Sequence, residues 1–413
     1  MTNKGGIHYG WVVVVAGVLT LALGQGMLGS TNSVFVVPVC EALGVSRSSF
    51  TFHRTILTLV SCCVTPFFGK LIQRFGVRRI MLTGAVFLGL INFCYSFAQS
   101  LMHFYVLAFF NGLFSNMLSF MVVGILIGNW FAEGKGLATG IAYSGSGIGG
   151  AVMIPVVTSV VENFDWRMGY RVIGAVGFVT LSAVALLLVR DLPQDKGLAP
   201  CTSGKKKSVS AEKPAFDLSL GEVLRTSRFW LLAASFLFIA CFAAATNTHS
   251  TPFLIDLGYP SETVSAVISL FMIFLTVGKI ILGFLYDKLG SLVSAAFIGV
   301  CCIVFPVAAL LSGNMPFPWL YAVFVGIASC AFSTPMPILV TRYFGTKDYP
   351  TILSIFSTVT SLGSSFSVPL MGAVYDNTGS YGPAWYALLG LSCVIAFGLV
   401  ACELSYRRKA KAR

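Results

Sequence analysis

The chain has 413 residues, 56% of them hydrophobic and only 10% charged, with Lys+Arg 27 against Asp+Glu 15 for a net charge of +12, and its mean hydropathy is +0.85. Soluble domains carry roughly 25% charged residues, so this composition excludes an ordinary soluble enzyme, a disordered chain and a disulfide scaffold. A membrane-crossing helix needs about 20 apolar residues, so twelve would take about 240, close to the whole apolar fraction.

In chain order, apolar runs fall near 10–38, 48–68, 78–99, 103–130, 136–160 and 170–190, bounded by charged, Gly or Pro punctuation. Six more fall near 228–254, 263–284, 290–312, 317–341, 350–375 and 383–404. Between the two sets lies a polar stretch with the Lys205–Lys207 run and Pro193, Pro200 and Pro214, which has the character of a linker. The expected organisation is a six-helix bundle over 1–190, a cytoplasmic linker over 191–227, and a second six-helix bundle over 228–413 ending in a short basic tail. The fold class is thus all-α membrane, with twelve transmembrane helices in two six-helix bundles.

Basic residues collect in alternate loops: Lys70, Arg74, Arg78 and Arg79; then Lys196, Lys205, Lys206, Lys207, Lys213, Arg225 and Arg228; then Arg407, Arg408, Lys409, Lys411 and Arg413. The intervening loops hold chiefly Arg47, Arg167 and Arg171. This asymmetry puts both termini in the cytoplasm and makes the chain a multi-pass protein of the cytoplasmic (inner or plasma) membrane. The surplus charge then meets anionic lipid, and no nucleic-acid partner is expected. The 11 Cys form no CxxC pair, and no His cluster accompanies them, so neither a metal nor another cofactor is expected.

The two halves repeat each other. Pro38 with Leu43-Gly44 recurs as Pro252 with Leu257-Gly258, and the Gly69–Gly76 loop recurs as Gly283–Gly290, both at an offset of 214. Trp130-Phe131 recurs as Tyr343-Phe344 at 213. Three anchors at nearly one offset indicate a tandem duplication of six spans, making the bundles pseudo-symmetric. Such repeats place a binding site near the membrane midplane, between the halves.

At these boundaries all 15 acidic residues fall in loops or at helix ends, whereas Lys279 lies within helix 8 and Arg54 in the outer part of helix 2. An ammonium near the midplane costs at least ~2.5 kcal/mol, and intramembrane cations mark function by default. The same spans offer no acid, so an anion from outside is the expected partner of Lys279. The bland alternative is a tether towards Asp287, two helical turns or about 12 Å away. Arg54 either guards the outer mouth or reaches the headgroups. Asn247 and His249 precede Pro252 in helix 7; His249 is the candidate for carrying a proton, against the plainer role of an interfacial donor. Polar residues that could line the cavity are Ser30 and Asn32, Ser115, Asn116 and Ser119, Tyr143 and Ser146, Ser329 and Ser333, and Ser357, Thr358 and Ser361. The Gly145–Gly150 run is expected to serve close helix packing rather than phosphate binding.

The Gly-x-Leu-x-x-Arg-x-Gly-x-Arg-Arg loop (Gly69, Leu71, Arg74, Gly76, Arg78, Arg79) and the 6+6 arrangement resemble the major facilitator superfamily. The acid usual in that loop is Gln73 here, while the second copy, with Gly283, keeps Asp287. Tyr9-Gly10-Trp11, Asn129-Trp130-Phe131 with Lys135–Gly140, and Asp165-Trp166-Arg167 are similar to segments of the monocarboxylate transporters and oxalate/formate antiporters. That resemblance implies a carboxylate-binding cation on helix 8, and Lys279 has the matching relation to Gly283 and Asp287. It also implies a second cation where Thr360 stands, and an aromatic box where Gly29, Ser30, Phe120, Ser329 and Ser333 stand, so oxalate itself fits poorly.

The function expected is secondary transport of a small organic monoanion by alternating access, through proton symport or exchange for a counter-anion, by a monomer. The alternatives are a drug or metabolite exporter, disfavoured because the spans lack a carboxylate, and a non-transporting membrane sensor. No nucleophile–base–acid set points to an enzyme.

Overall fold

The computed structural model describes residues 8–201 and 217–411. Among these, eleven helices are long and apolar enough to cross a membrane: α1 Tyr9–Leu43, α2 Ser49–Phe75, α3 Val77–Tyr95, α4 Leu101–Trp130, α5 Lys135–Asn163, α6 Trp166–Leu188, α7 Ser227–Asp256, α8 Glu262–Lys288, α9 Gly290–Leu310, α11 Tyr349–Thr378 and α12 Gly382–Arg408. A bent pair, Phe317–Phe332 and Pro335–Phe344, meets at 43° and makes up α10. Each apolar run of the sequence is therefore a helix. The Lys205–Lys207 run, Lys213, Pro214 and Arg413 lie outside the described residues.

The chain divides into two compact units. The first comprises Met1–Ala132 and Ile141–Thr202; the second comprises Glu133–Gly140 and Ser203–Arg413. The opening turns of α5 thus belong with the second unit and the rest of that helix with the first.

Local chemistry fixes the helix ends. The Asp165 carboxylate accepts from the Met168 N–H at 2.6 Å and starts α6, and Thr226 does the same for Phe229 at α7, satisfying donors that have no partner within the helix. The tight turns α2–α3 and α8–α9 need a residue with positive φ, supplied by Gly76 (φ 81°) between α2 and α3 and by Gly290 (φ 79°), which opens α9, again 214 apart. No L side chain adopts that conformation without strain.

Inside the first unit the glycine run of α5 lies against α1. A Cβ on Gly145 would stand 2.3 Å from the Val18 carbonyl oxygen, and one on Gly149 would stand 2.0 Å from that of Ala22. Backbone meets backbone there, as small residues in lipid allow.

Two helices break at equivalent places. A 3-10 turn over Asn116–Leu118 interrupts α4, and another over Cys330–Phe332 interrupts α10. Their offset is 214 residues, so the duplication extends to the interruptions themselves. α1 carries a different irregularity, a π-helical stretch over Ala22–Met27, where the Gln25 amide donates to the Leu118 carbonyl at 3.3 Å.

The segments flanking the linker dock within their own units. After α6, the Cys201 N–H donates to Trp130 O at 2.8 Å and the Ala132 N–H donates to Cys201 O at 3.1 Å. Before α7, the Leu218 N–H donates to Phe344 O at 2.9 Å, and the Asp217 carboxylate accepts from the Thr346 and Lys347 N–H groups at 2.7 and 2.8 Å. One linker end thus lies on the end of α4 and the other on the end of α10.

One expectation needs correcting. Taken from apolar runs, all acids sit in loops or at helix ends, yet α12 continues helically to Lys411 and Glu403 lies inside it with 0% exposure. Its carboxylate accepts from Arg342 at 3.0 Å, Arg407 at 2.8 Å and the Tyr343 hydroxyl at 2.9 Å. Charge-paired ends let a helix run on past the segment that hydropathy marks.

Candidate functional site

The α8–α10 pair carries the buried cation. Lys279 is 4% exposed, on a helix whose other charges, Glu262, Asp287 and Lys288, stand at its ends. Two contacts fix its turn. On one side Gly140 lies so close that a Cβ there would stand 2.3 Å from the Lys279 carbonyl oxygen; one turn on, Gly136 would meet Gly283 O at 2.2 Å. The glycines at 136, 140 and 283 let the start of α5 and α8 touch along their backbones. The same contact is tied by Asp287, whose carboxylate accepts from the Gly136 and Leu137 N–H groups at 3.0 and 2.7 Å. An anion at the N-terminal turn of a helix is favourably placed.

On the other side α8 meets the interruption of α10. A Cβ on Gly278 would stand 2.9 Å from Cys330 Sγ, that thiol donates to Leu275 O at 3.0 Å, and Cys330 is an electrostatic neighbour of Lys279. Ser329, Ser333 and Thr334 flank it, all buried. The Ser333 hydroxyl donates to Cys330 O at 3.3 Å, whereas Ser329 Oγ and Thr334 Oγ1 have no hydrogen-bond partner among the described residues. Buried hydroxyls are nearly always bonded, so two lacking a partner beside a helix break mark a place suited to receive a polar group.

The first unit repeats this geometry with neutral groups. Asn116, the counterpart of Cys330, donates from Nδ2 to Ser61 O at 3.1 Å, just as Cys330 donates to Leu275 O, and also to Ser61 Oγ and Thr65 Oγ1, both at 2.8 Å. Thr65 is the counterpart of Lys279. Gly112 and Gly326 likewise face the carbonyls of Leu57 and Phe271, with Cβ distances of 2.6 and 2.8 Å. Every one of these pairs is 214 residues apart. Composition and hydropathy do not single out Thr65 or Cys330; the offset of 214 applied to Lys279 and Asn116 would have.

The remaining candidates are spread more widely. Ser30 and Asn32 stand just past the π-helical part of α1, with the Asn32 amide donating to Leu28 O and Gly29 O at 2.9 and 3.1 Å. Tyr143 is 1% exposed and donates to Phe120 O, joining α5 to α4. Ser361 donates to Ser357 O of its own helix at 2.9 Å. Arg54 is exposed on α2, with Tyr95 and Tyr170 as electrostatic neighbours. Asn247 is exposed. His249 bridges to Tyr381 Oη at 3.2 Å and Val368 O at 3.1 Å. His249 lies near the Asp256 end of α7, next to the α7–α8 connection, whereas Lys279 lies toward the Lys288 end of α8.

The loop motif is a capping device in the first unit. The Arg78 N–H donates to Asp191 Oδ1 at 2.6 Å, and its guanidinium donates to Ala185 O and Leu186 O at 3.3 and 2.7 Å, closing the end of α6. A Cβ on Gly76 would stand 2.4 Å from Asp191 Oδ2. Arg74 lies over the Phe75 ring at 5.5 Å, and Gly69 precedes that turn within α2. Among the described residues no group of three metal-ligating side chains occurs.

Comparison with known proteins gives this architecture relatives. The pattern of the Major Facilitator Superfamily matches residues 14–325. Monocarboxylate transporter 12 of Xenopus laevis is 25% identical over 95% of this chain and 88% of its own length. Its human counterpart is 24% identical over 98% and 82%, and an MFS-type transporter of Aspergillus terreus is 27% identical over 68% and 90%. Among solved structures, the fucose:proton symporter of E. coli has the same fold, with a TM-score of 0.66 at 13% identity over 95% of this chain and 98% of that one.

Proposed function

We propose, for a chain that belongs to the Major Facilitator Superfamily and is thereby a multi-pass membrane transporter rather than an enzyme, that the cargo is a small organic monocarboxylate received by the Lys279 ammonium. The observation that carries this reading is the buried cation beside an interrupted helix. A charge at that depth costs at least ~2.5 kcal/mol, and paired interruptions in the two halves are the best structural pointer to a transporter's binding site. Ser329 and Thr334 supply hydroxyls that could donate to a second carboxylate oxygen. The similarity to monocarboxylate transporters supports the same cargo class. A single ammonium is a point charge that suits one carboxylate without fixing its plane.

In this reading alternating access exposes the Lys279 level to either side, Arg54 draws anions toward the first unit, and the charge is balanced by a proton carried through His249 or by exchange for another anion. Both termini lie in the cytoplasm, and the protein works as a monomer in the cytoplasmic membrane.

The test is purified protein in nanodiscs, titrated with acetate, pyruvate and benzoate while thermal unfolding is followed. An anion at 100 times its Kd stabilises by about 2.7 kcal/mol, and Lys279→Ala should abolish that shift and uptake of the same anion into proteoliposomes, while Lys279→Arg retains part of both. A Lys279→Ala protein that is stabilised and transports like wild type would overturn the assignment.

A further inference from the structure

In the first unit the interruption of α4 holds a polar cluster that the Lys279 site does not use, and its chemistry fixes the orientation of the Asn116 amide. Ser61 O can only accept, so the amide atom 3.1 Å from it is Nδ2. The Thr65 hydroxyl donates to Ser61 O at 2.6 Å, so it accepts from Nδ2 at 2.8 Å. Ser61 Oγ, also 2.8 Å from Nδ2, is the third acceptor. Both amide hydrogens are therefore spent on α2, and Oδ1 remains as an acceptor. Among the described residues nothing donates to it. Ser61 Oγ receives from Asn116 and, at 3.4 Å, from Ser115, which leaves its own hydrogen for a further partner. Thr65 is buried, whereas Asn116 and Ser61 are half-buried.

The cluster is held in place from both sides. The Ser119 hydroxyl donates to Asn116 O at 2.8 Å across the 3-10 turn. A Cβ on Gly112 would stand 2.6 Å from Leu57 O, so α4 and α2 touch along their backbones. No full charge attends it. α4 carries no Asp, Glu, Lys or Arg. On α2, Arg54 stands two turns before Ser61, about 10 Å along the axis, and helical side chains lean toward the N-terminus, away from Ser61. Lys70 is exposed and lies about 180° around α2 from Ser61.

We infer that Asn116 Oδ1 and the Ser61 hydroxyl are the specificity-determining pair of the first unit, reading a neutral end of the cargo that both donates and accepts, a hydroxyl or a carboxamide. This rests on the reading in which Lys279 receives the carboxylate. In transporters built from repeats the cargo is held by interrupted helices, and here one copy carries the ammonium and the other the neutral pair. One acceptor beside one donor matches a hydroxyl or carboxamide group for group. A methyl end leaves both unpaired. A second carboxylate accepts from Ser61 but sets its other oxygen against Oδ1. It also arrives without a counter-charge, because Thr65 stands where the other half has Lys279.

The test titrates nanodisc-embedded protein calorimetrically with four-carbon acids that differ only at the far end: butyrate, 4-hydroxybutyrate, succinamate and succinate. The pH is set so that both succinate carboxyls are ionised. In the wild type 4-hydroxybutyrate and succinamate should bind about fivefold more tightly than butyrate, the worth of one net hydrogen bond. Succinate should bind at least about tenfold more weakly than succinamate, its neutral isostere. Asn116→Ala should abolish the preference for the neutral polar ends over butyrate, and Ser61→Ala should lower it about twofold. Equal binding of butyrate and the neutral polar acids by wild type, succinate bound as tightly as succinamate, or a preference intact in both variants would overturn the pair. Ser61→Ala removes only a half-buried hydroxyl, so it keeps the test decisive if Asn116→Ala unfolds. A preference lost in the variants, while Lys279→Ala binds butyrate like wild type, would support the pair and remove the carboxylate assignment instead.

Discussion

The contact between the opening of α5 and α8 can be broken by a single methyl group. In Gly140→Ala the new Cβ would stand 2.3 Å from the Lys279 carbonyl oxygen and 3.0 Å from Ile280 Cα. Carbon and carbonyl oxygen approach no closer than about 3.3 Å, so the helices must part by about 1 Å, and because both obstacles are backbone, no side-chain rotation relieves them. Overpacking of this kind costs about 1–3 kcal/mol. The same displacement pulls on the two Asp287 bonds to Gly136 and Leu137, and losing one charged hydrogen bond adds about 1.5–3 kcal/mol. The expected loss is therefore about 2.5–6 kcal/mol, read as a fall in the unfolding midpoint in nanodiscs together with loss of uptake. Gly390→Ala is the control, because a Cβ there meets nothing within 4 Å and should change stability by no more than about 1 kcal/mol. If Gly140→Ala is as stable as Gly390→Ala, the backbone contact does not hold the Lys279 turn.

Glu403→Gln should cost about 3 kcal/mol or more, because it leaves the Arg342 guanidinium without its counter-charge; thermal unfolding checks this, and an unchanged midpoint would refute it. Asn116→Ala should cost about 1–2 kcal/mol, and a double-mutant cycle with Thr65→Val should show coupling between the two, with strict additivity as the contrary result. The Thr346 and Lys347 N–H groups hold the Asp217 carboxyl below its usual range. A lowered folded-state value means that the docking it supports is present above the unfolded aspartate value of about 3.9 and is lost as pH falls through the lowered value. Hydrogen exchange over 217–224 should accelerate on acidification below about pH 4 in wild type and be fast at every pH in Asp217→Asn. Protection in Asp217→Asn at neutral pH would show that the Leu218 bond to Phe344 O and the Leu220 bond to Asp348 hold the segment without it.

The spans were legible because each has to present about 20 apolar residues to lipid, and loop charge and turn glycines punctuate them. The duplication was legible in the same way: Gly76 and Gly290 must both adopt positive φ, so the repeat preserves them. Helix length was not, since Glu403 extends α12 through ion pairs that hydropathy does not register. Lys279 stood out as an apolar run broken by a charge, whereas its neighbour Cys330 reads as one more core thiol until the bend in α10 brings it against Leu275. For His249 the sequence offered a titratable ring before Pro252, but its bonds reach Val368 and Tyr381, more than a hundred residues away, and no local pattern encodes them.

Thr65 and Lys279 occupy the same rung of two copies of one helix pair. Around that rung the pairing rests on main-chain oxygens, Ser61 O for Asn116 and Leu275 O for Cys330, which no exchange of side chains removes. Polarity at that level can therefore drift from hydroxyl to ammonium while the frame that holds it is conserved. A duplicated scaffold of this kind separates what must stay constant for folding from what is at liberty to diversify, and it confines the second to a few positions in each copy.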